Sequence, residues 1–399
     1  MTKNLAFRAS ASAILLTLLL LPGIAHAANA TVACPGGGGG AYPSINAALA
    51  AIGQTGPSTI SVTGTCNESV SLNNARSLTI FAGPGGAKIV GPQDFDTFDI
   101  FLSQDITLQN LEIIGTPGST VFTAGAGVVI SDASEVHIVG CNIHDNQGGG
   151  VSADIGSLLF LNHTSIQNNS PGDGLDVLNN SSADVVGITI QNNGSGVFVQ
   201  DRSSIIFRRQ NFILNNGDVG IQATDLSSVR FATGDPALFT TIQGHNADGI
   251  IAARQSVVFM AGQHTHLIQN NGSLCPTDPT CGGIFALRNS TVRLFAGNIT
   301  GNQGSGISVQ QGVDLALDNT TVSNNTGDGL HIQRISIGDF GTGNSITGNG
   351  GASVFCDERS LVIGDLGGLS KISCDHDDPQ GESRHGADHK DKEGKERNH

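Results

Sequence analysis

One phrase recurs along this chain and restricts the folds open to it: an aliphatic anchor, two polar residues, Asn, a short gap, then Gly and another aliphatic. It reads IHDNQGGGV from Ile143, IQNNSPGDGL from Ile166, IQNNGSGV from Ile190 and ILNNGDVGI from Ile213. Later copies are IQGHNADGI from Ile242, ITGNQGSGI from Ile299 and VSNNTGDGL from Val322. The anchors Ile143, Ile166, Ile190, Ile213, Ile242, Ile268, Ile299, Val322 and Ile346 are spaced 23, 24, 23, 29, 26, 31, 23 and 24 residues apart. Three residues past each stand Asn146, Asn169, Asn193, Asn216, His245, Asn271, Asn302, Asn325 and Asn349. Repeats this short are single structural units that bury their apolar face only by stacking on a neighbour.

Each period contains three short alternating runs. Around Asn325 they are VDLAL (313–317), TTV (320–322) and GLHI (329–332). Alternation rich in β-branched and aliphatic residues means strands, and Gly or Asn between them means tight corners. Three strands in about 23 residues match neither a leucine-rich horseshoe nor the four strands of a propeller blade. They fit an all-β fold, a parallel β-helix of ten or more coils, each stacked on the last by about 4.8 Å. Equivalent side chains then form columns, and the Asn column is expected to be a ladder of stacked amides. The gap from Asn271 to Gly283 and the segment TGDPALF (233–239) are read as insertions. Pro43-Ser44 opens INAALAAI, a short amphipathic helix expected to cap the N-terminal end of the stack.

The ends differ in kind from the repeats. Residues 1–30 read as an export signal: Lys3 and Arg8, an apolar run over 14–21, and a cleavage site at Ala25-His26-Ala27 or Ala28-Asn29-Ala30. The cap is placed at 31–58, the coils at 59–374, and a charged, His-containing disordered tail at 375–399. An exported chain, periplasmic or extracellular, without a membrane span in its mature form and monomeric, follows from this reading. Seven cysteines then suggest three disulfides and one thiol. Proximity along the chain pairs Cys34 with Cys66, Cys275 with Cys281 and Cys356 with Cys374, leaving Cys141 buried in a strand. A net charge of −15 argues against a nucleic-acid partner.

The Asn-laddered coils, the helix after YPSI and the paired cysteines at the ends resemble the right-handed parallel β-helix, or pectin-lyase-like, superfamily with its PbH1-type repeats. The resemblance covers roughly residues 40–365. It implies right-handed coiling and, commonly, polysaccharide lyases, hydrolases or epimerases, but also adhesins and chains without chemistry. Fold alone does not assign function.

Two outward columns carry candidate chemistry. Five residues past each Gly stand Asp132, Ile155, Asn179, Asp201, Asp225, Arg254, Arg288, Gln311 and Arg334. Asp201 and Asp225 are expected to be neighbours about one coil apart, a spacing that suits a pair of glycosidase carboxylates. In that reading they are catalytic, and Arg254 and Arg288 bind substrate or hold a neighbouring acid ionised. Two residues past the Gly, a second column carries Asp176 and His331. Asp176 is a further substrate-binding candidate and, with Asp154 and Asp173, a weak site for Ca²⁺. His331 is a possible catalytic base, while Asp173, Asp248 and Asp328 precede Gly as tight turns often require. No spacing points to another metal or to a cofactor.

Composition weighs against a polyuronate enzyme. There is no Trp and one Tyr to build a sugar platform, and residues 31–374 hold 26 acids against 12 bases. A cluster of Arg202, Arg208, Arg209 and Arg230 softens the second objection. The favoured reading is a non-catalytic exported surface, matrix or glycan-binding scaffold. The alternative is a carbohydrate-active enzyme, a glycoside hydrolase or polysaccharide lyase, whose partner is a polysaccharide.

Overall fold

The computed structural model describes residues 27–115, 125–232, 239–261, 266–275 and 280–365, together with the backbone of 372–375. The expected signal up to residue 26, the tail beyond 375 and most of the two insertions lie outside the described residues. What is described is a stack of about twelve coils, all β apart from one short helix. Each coil contributes one strand to a 13-stranded parallel sheet and two to a 24-stranded one that wraps the other two faces. Around Asn325 the strands are Asp314–Asp318, Thr321–Ser323 and Leu330–Gln333. The sequence pattern placed all three within a residue.

Register follows the repeat because a slip of one residue would turn every apolar side chain outward. Ile143, Ile166, Ile190 and Ile213 lie directly over one another, each fully buried. A parallel column runs through Leu161, Val185, Phe207, Phe231 and Met260. Where it turns aromatic, the rings of Phe207 and Phe231 stack with centroids 5.1 Å apart.

Two polar ladders close the corners. In the first, the backbone N–H and Nδ2 of Asn169 both donate to Asn193 Oδ1, at 3.0 and 2.9 Å. Asn193 Nδ2 in turn donates to the Ile166 carbonyl. The buried corner amides, which would otherwise be left unpaired, are thereby satisfied one coil at a time. Asn146 begins the ladder, and its Oδ1 is buried without a partner. Over the ladder the strand of the next face must pass closely. A Cβ on Gly174 would meet Ile190 Cγ2 at 2.5 Å and Asn193 Nδ2 at 2.8 Å, so glycine is required there.

The second ladder is one the repeat reading missed. Backbone N–H groups of Ser134, Ser157, Ser181, Ser203, Ser227 and Ser256 each donate to the serine hydroxyl of the following coil. Its sequence signal was present: Ser stands two residues past Asp132, Ile155, Asn179, Asp201, Asp225, Arg254, Arg288 and Arg334. That preceding corner is left-handed in every coil, from Asp132 (φ 55°) through Asp201 (56°), Asp225 (57°) and Arg254 (55°) to Arg334 (55°). Even Ile155 adopts it (φ 50°), although β-branched residues resist that conformation. The corner imposes the geometry, and Asp and Asn merely tolerate it best.

At the N-terminal end, strand β1 (Ala28–Ala33) pairs with strand β2 (Thr55–Asn67), and helix α1 (Ile45–Ile52) lies between them in the chain. Ser44 caps the helix, its hydroxyl accepting from the Ala47 N–H. Glu68 adds a second lock, taking the N–H groups of Ile45 and Asn46 at 2.8 and 3.0 Å. Ile45, Ala48 and Leu49 are buried against the first coil. Because β1 starts at Ala28, pairing with Ser58, the sheet begins ahead of the boundary at 59 read from the sequence. Cleavage after Ala27 would leave β1 whole, and cleavage after Ala30 would not.

Cys34–Cys66 and Cys275–Cys281 are bonded. Cys356 is also disulfide-bonded, and the backbone of Cys374 lies opposite it in the parallel register. Cys141 is a free, buried thiol whose burial pushes its pKa up to about 11.

Candidate functional site

The left-handed corner and the outer face of the 13-stranded sheet lie side by side, and together they hold the candidate residues. Asp201 and Asp225 occupy the same corner position in consecutive coils, since the Arg202 N–H donates to the Asp225 carbonyl. Asp201 is exposed. Arg254 Nη1 contacts both oxygens of Asp225, at 3.2 and 3.1 Å, and its own side chain is 54% exposed. Arg288 stands one coil further on, exposed. Comparable pairs bridge coils on the other sheet, Arg208 with Asp184 and Arg293 with Asp314. Exposed pairs of this kind contribute little to stability, about 0–1 kcal/mol.

The outer face of the 13-stranded sheet is more distinctive. One outward residue per strand forms a continuous row running from Asp99 through Ser152, Asp176, Phe198 and Gln222 to Ile251. It continues through Phe285, Ser308 and His331 to Phe355. Its N-terminal part is acidic and its C-terminal part aromatic.

Asp residues at the edge of this face have a structural duty. Asp96, Asp173, Asp248 and Asp328 each accept the backbone N–H of the equivalent residue in the next coil, from Ala126, Ser195, Gly282 and Ala352, at 2.7 to 2.9 Å. The turn chemistry read from Asp-Gly is thus an inter-coil clasp. What differs is the outward residue three positions on. It is Asp99, Asp176, Ile251 and His331 respectively.

Asp176 is the most perturbed of these. Its Oδ1 is buried with no hydrogen-bond partner. Burial, then the nearby Asp173 and Asp154, push its pKa up to about 8. Asp99 is raised for the same reasons, by burial and then by Asp96 and Asp132. Asp154 is engaged by the Ile155 N–H and by Asn179 Nδ2, both at 2.7 Å. Asp154, Asp173 and Asp176 do not bring one oxygen each to within 4.8 Å of one another. Among the described residues only Cys34, Cys66 and Glu68 form such a trio, and those two cysteines are bonded to each other. Asp176 therefore behaves as a neutral carboxylic acid set among charged ones, an arrangement that can donate a proton near neutral pH.

The sequence comparison agrees with the architecture. A family model described as "right handed beta helix region" matches residues 97–234. The chain is a right-handed parallel β-helix protein, as its repeats suggested. Among solved structures, the catalytic domain of a GH87 α-1,3-glucanase is 13% identical with a TM-score of 0.46, over 83% of this chain and 66% of that one. Pectate lyase Pel9A is 16% identical with a TM-score of 0.37, over 88% and 79%. PfbA, a surface adhesin of Streptococcus pneumoniae, is 13% identical with a TM-score of 0.36, over 78% and 86%. No curated protein sequence matches the chain. Among the described residues, no helix is long and apolar enough to cross a membrane.

Proposed function

We propose that this chain is an exported glycan-binding β-helix, acting as a surface or matrix scaffold, and that its ligand face is the outer surface of the 13-stranded sheet. The observation that carries this is the unbroken outward row, in which acidic, amide, hydroxyl and aromatic side chains repeat at the coil spacing. Such a row suits an extended ligand whose own units repeat, and stacked repeats present it at no conformational cost. Phe198, Phe285 and Phe355 supply the apolar surface that the missing Trp would otherwise provide. Disulfides suit an oxidising, extracytoplasmic setting. The test is retention on a panel of immobilised polysaccharides. Retention by the parent that is lost in Phe198→Ser and Phe285→Ser supports the reading, and no retention on any polymer overturns it.

A second reading, a carbohydrate-active hydrolase, is favoured by one observation, the neutral Asp176 beside Asp154 and Asp173. In that reading Asp176 is the general acid that protonates the leaving oxygen, and an ionised neighbour supports the sugar cation or activates water. Asp201 and Asp225 then remain a rival pair, with Arg254 keeping Asp225 charged. Reducing-sugar and unsaturated-product release over the same panel, with and without calcium, separates enzyme from scaffold.

A further inference from the structure

The row holds a second organised polar group, six coils along from Asp176, about 29 Å at the strand spacing. Asp328 Oδ1 is fixed by the Ala352 N–H at 2.7 Å, and its Oδ2 lies 2.7 Å from His331 Nδ1. A carboxylate only accepts, so Nδ1 carries the proton and the neutral ring presents its lone pair at Nε2. Phe355 stacks on the imidazole, centroids 4.6 Å apart and planes 14° from parallel. The ring can therefore neither flip nor tilt freely. The side chain is only 8% exposed. Nε2 has no partner among the described residues, yet it is not one of the buried polar atoms. Its edge is what this face shows to solvent.

Beneath it, Ser308 is the register partner of His331, and the same register sets Ser305 opposite Asp328. Both hydroxyls are buried without a hydrogen-bond partner, which is uncommon in native proteins and calls for a reason. Asp173 with Asp176 uses the same backbone positions for two acids. Here the outward member is a base oriented by its acid, as in sites that accept a proton or a hydrogen bond from a bound hydroxyl.

We infer that His331 is the hydrogen-bond acceptor of a second polar subsite, held by Asp328 and Phe355 and built for a hydroxyl of a ligand lying along the sheet. This rests on the glycan-binding reading, and the test separates the two. First, diethyl pyrocarbonate at neutral pH, which acylates an accessible unprotonated imidazole nitrogen, is mapped by mass spectrometry. His331 is expected to react, as the exposed His163 does, while His245, with both nitrogens bonded, does not. An unreactive His331 beside a modified His163 overturns the inference. Second, retention on the polysaccharide that holds the parent is measured for His331→Phe, His331→Gln and Asp328→Asn, with melting temperature as the control for folding. Loss of about tenfold in both His331 variants, and a smaller loss in Asp328→Asn, is expected from a ligand contact and its positioning residue. Unchanged retention in a folded His331 variant overturns the subsite alone. A parent that binds no polysaccharide overturns the glycan reading and this inference with it, whatever the acylation result.

Discussion

His245 takes the place of asparagine in the corner ladder and reproduces both of its bonds: Nδ1 accepts the Asn216 N–H at 3.2 Å, and Nε2 donates to the Ile213 carbonyl at 3.1 Å. The substitution is incomplete in one respect. An amide oxygen accepts from both the backbone and the side chain of the preceding Asn, whereas Nδ1 has one lone pair, and Asn216 Nδ2 is left buried without a partner. Both bonds require the neutral ring. Burial lowers the His245 pKa to about 4.

Stability should therefore fall with acid in a defined window. The unfolded chain binds a proton at His245 below about 6.5 and the folded chain does so only below about 4. This contribution is complete above the unfolded value and is lost as pH falls between the two, about 3 kcal/mol at most. His245→Asn should remove that part of the acid sensitivity and give Asn216 Nδ2 its acceptor, adding roughly 1 kcal/mol near neutral pH. Denaturant unfolding at a series of pH values checks both. An unaltered acid slope in the variant would contradict the assignment.

Asp176 should act with the opposite sign. Its folded pKa, about 8, lies above the unfolded value of 3.8. The fold thus binds a proton that the unfolded chain has released, and stability declines as pH rises from about 4 to 8. Asp176→Asn, which keeps the shape and removes the charge, should raise the melting temperature near pH 7 and flatten this decline. If the parent hydrolyses a polysaccharide, the same variant should lower turnover by two or more orders of magnitude. An active parent that keeps full turnover in Asp176→Asn, but loses it in Asp201→Asn or Asp225→Asn, would move the chemistry to the corner.

The ladder is open to a direct cut. Asn193→Ala removes the acceptor of the Asn169 N–H and Nδ2 and the donor to the Ile166 carbonyl. Leaving those groups buried and unpaired should cost about 2–4 kcal/mol. Gly174→Ala should cost about 1–3 kcal/mol by overpacking, since its Cβ would fall within 2.8 Å of three atoms of the next coil. Thermal melts of both variants measure this. A Gly174→Ala chain as stable as the parent would mean the coils part without penalty.

Cys141 should be inert in the native protein, its thiol buried and its pKa near 11. Alkylation without reductant should add no label to the folded chain and one label after denaturation, read by intact mass. Two or more labels after denaturation would contradict the third disulfide at Cys356.

Much of this architecture is legible in the sequence because stacking converts a distance of 23 residues into direct contact. Ile143 meets Ile166, and Asn146 meets Asn169, by virtue of the period alone. The Ser44–Ile45 helix start is similarly local, since its cap lies within the same turn. The serine ladder obeys the same period, but serine is common in loops and only the donated hydrogen bonds distinguish its column. The outer face is another matter. Packing does not constrain outward side chains, so their pattern does not say which of them engage one another. That Arg254 grips Asp225, that Asp173 clasps the next coil while raising the pKa of Asp176, and that Asp328 orients His331 depends on side-chain directions and burial at coil edges. The period determined which residues are neighbours. The three-dimensional packing alone decided which neighbours are charged, which are neutral and which remain open to a ligand.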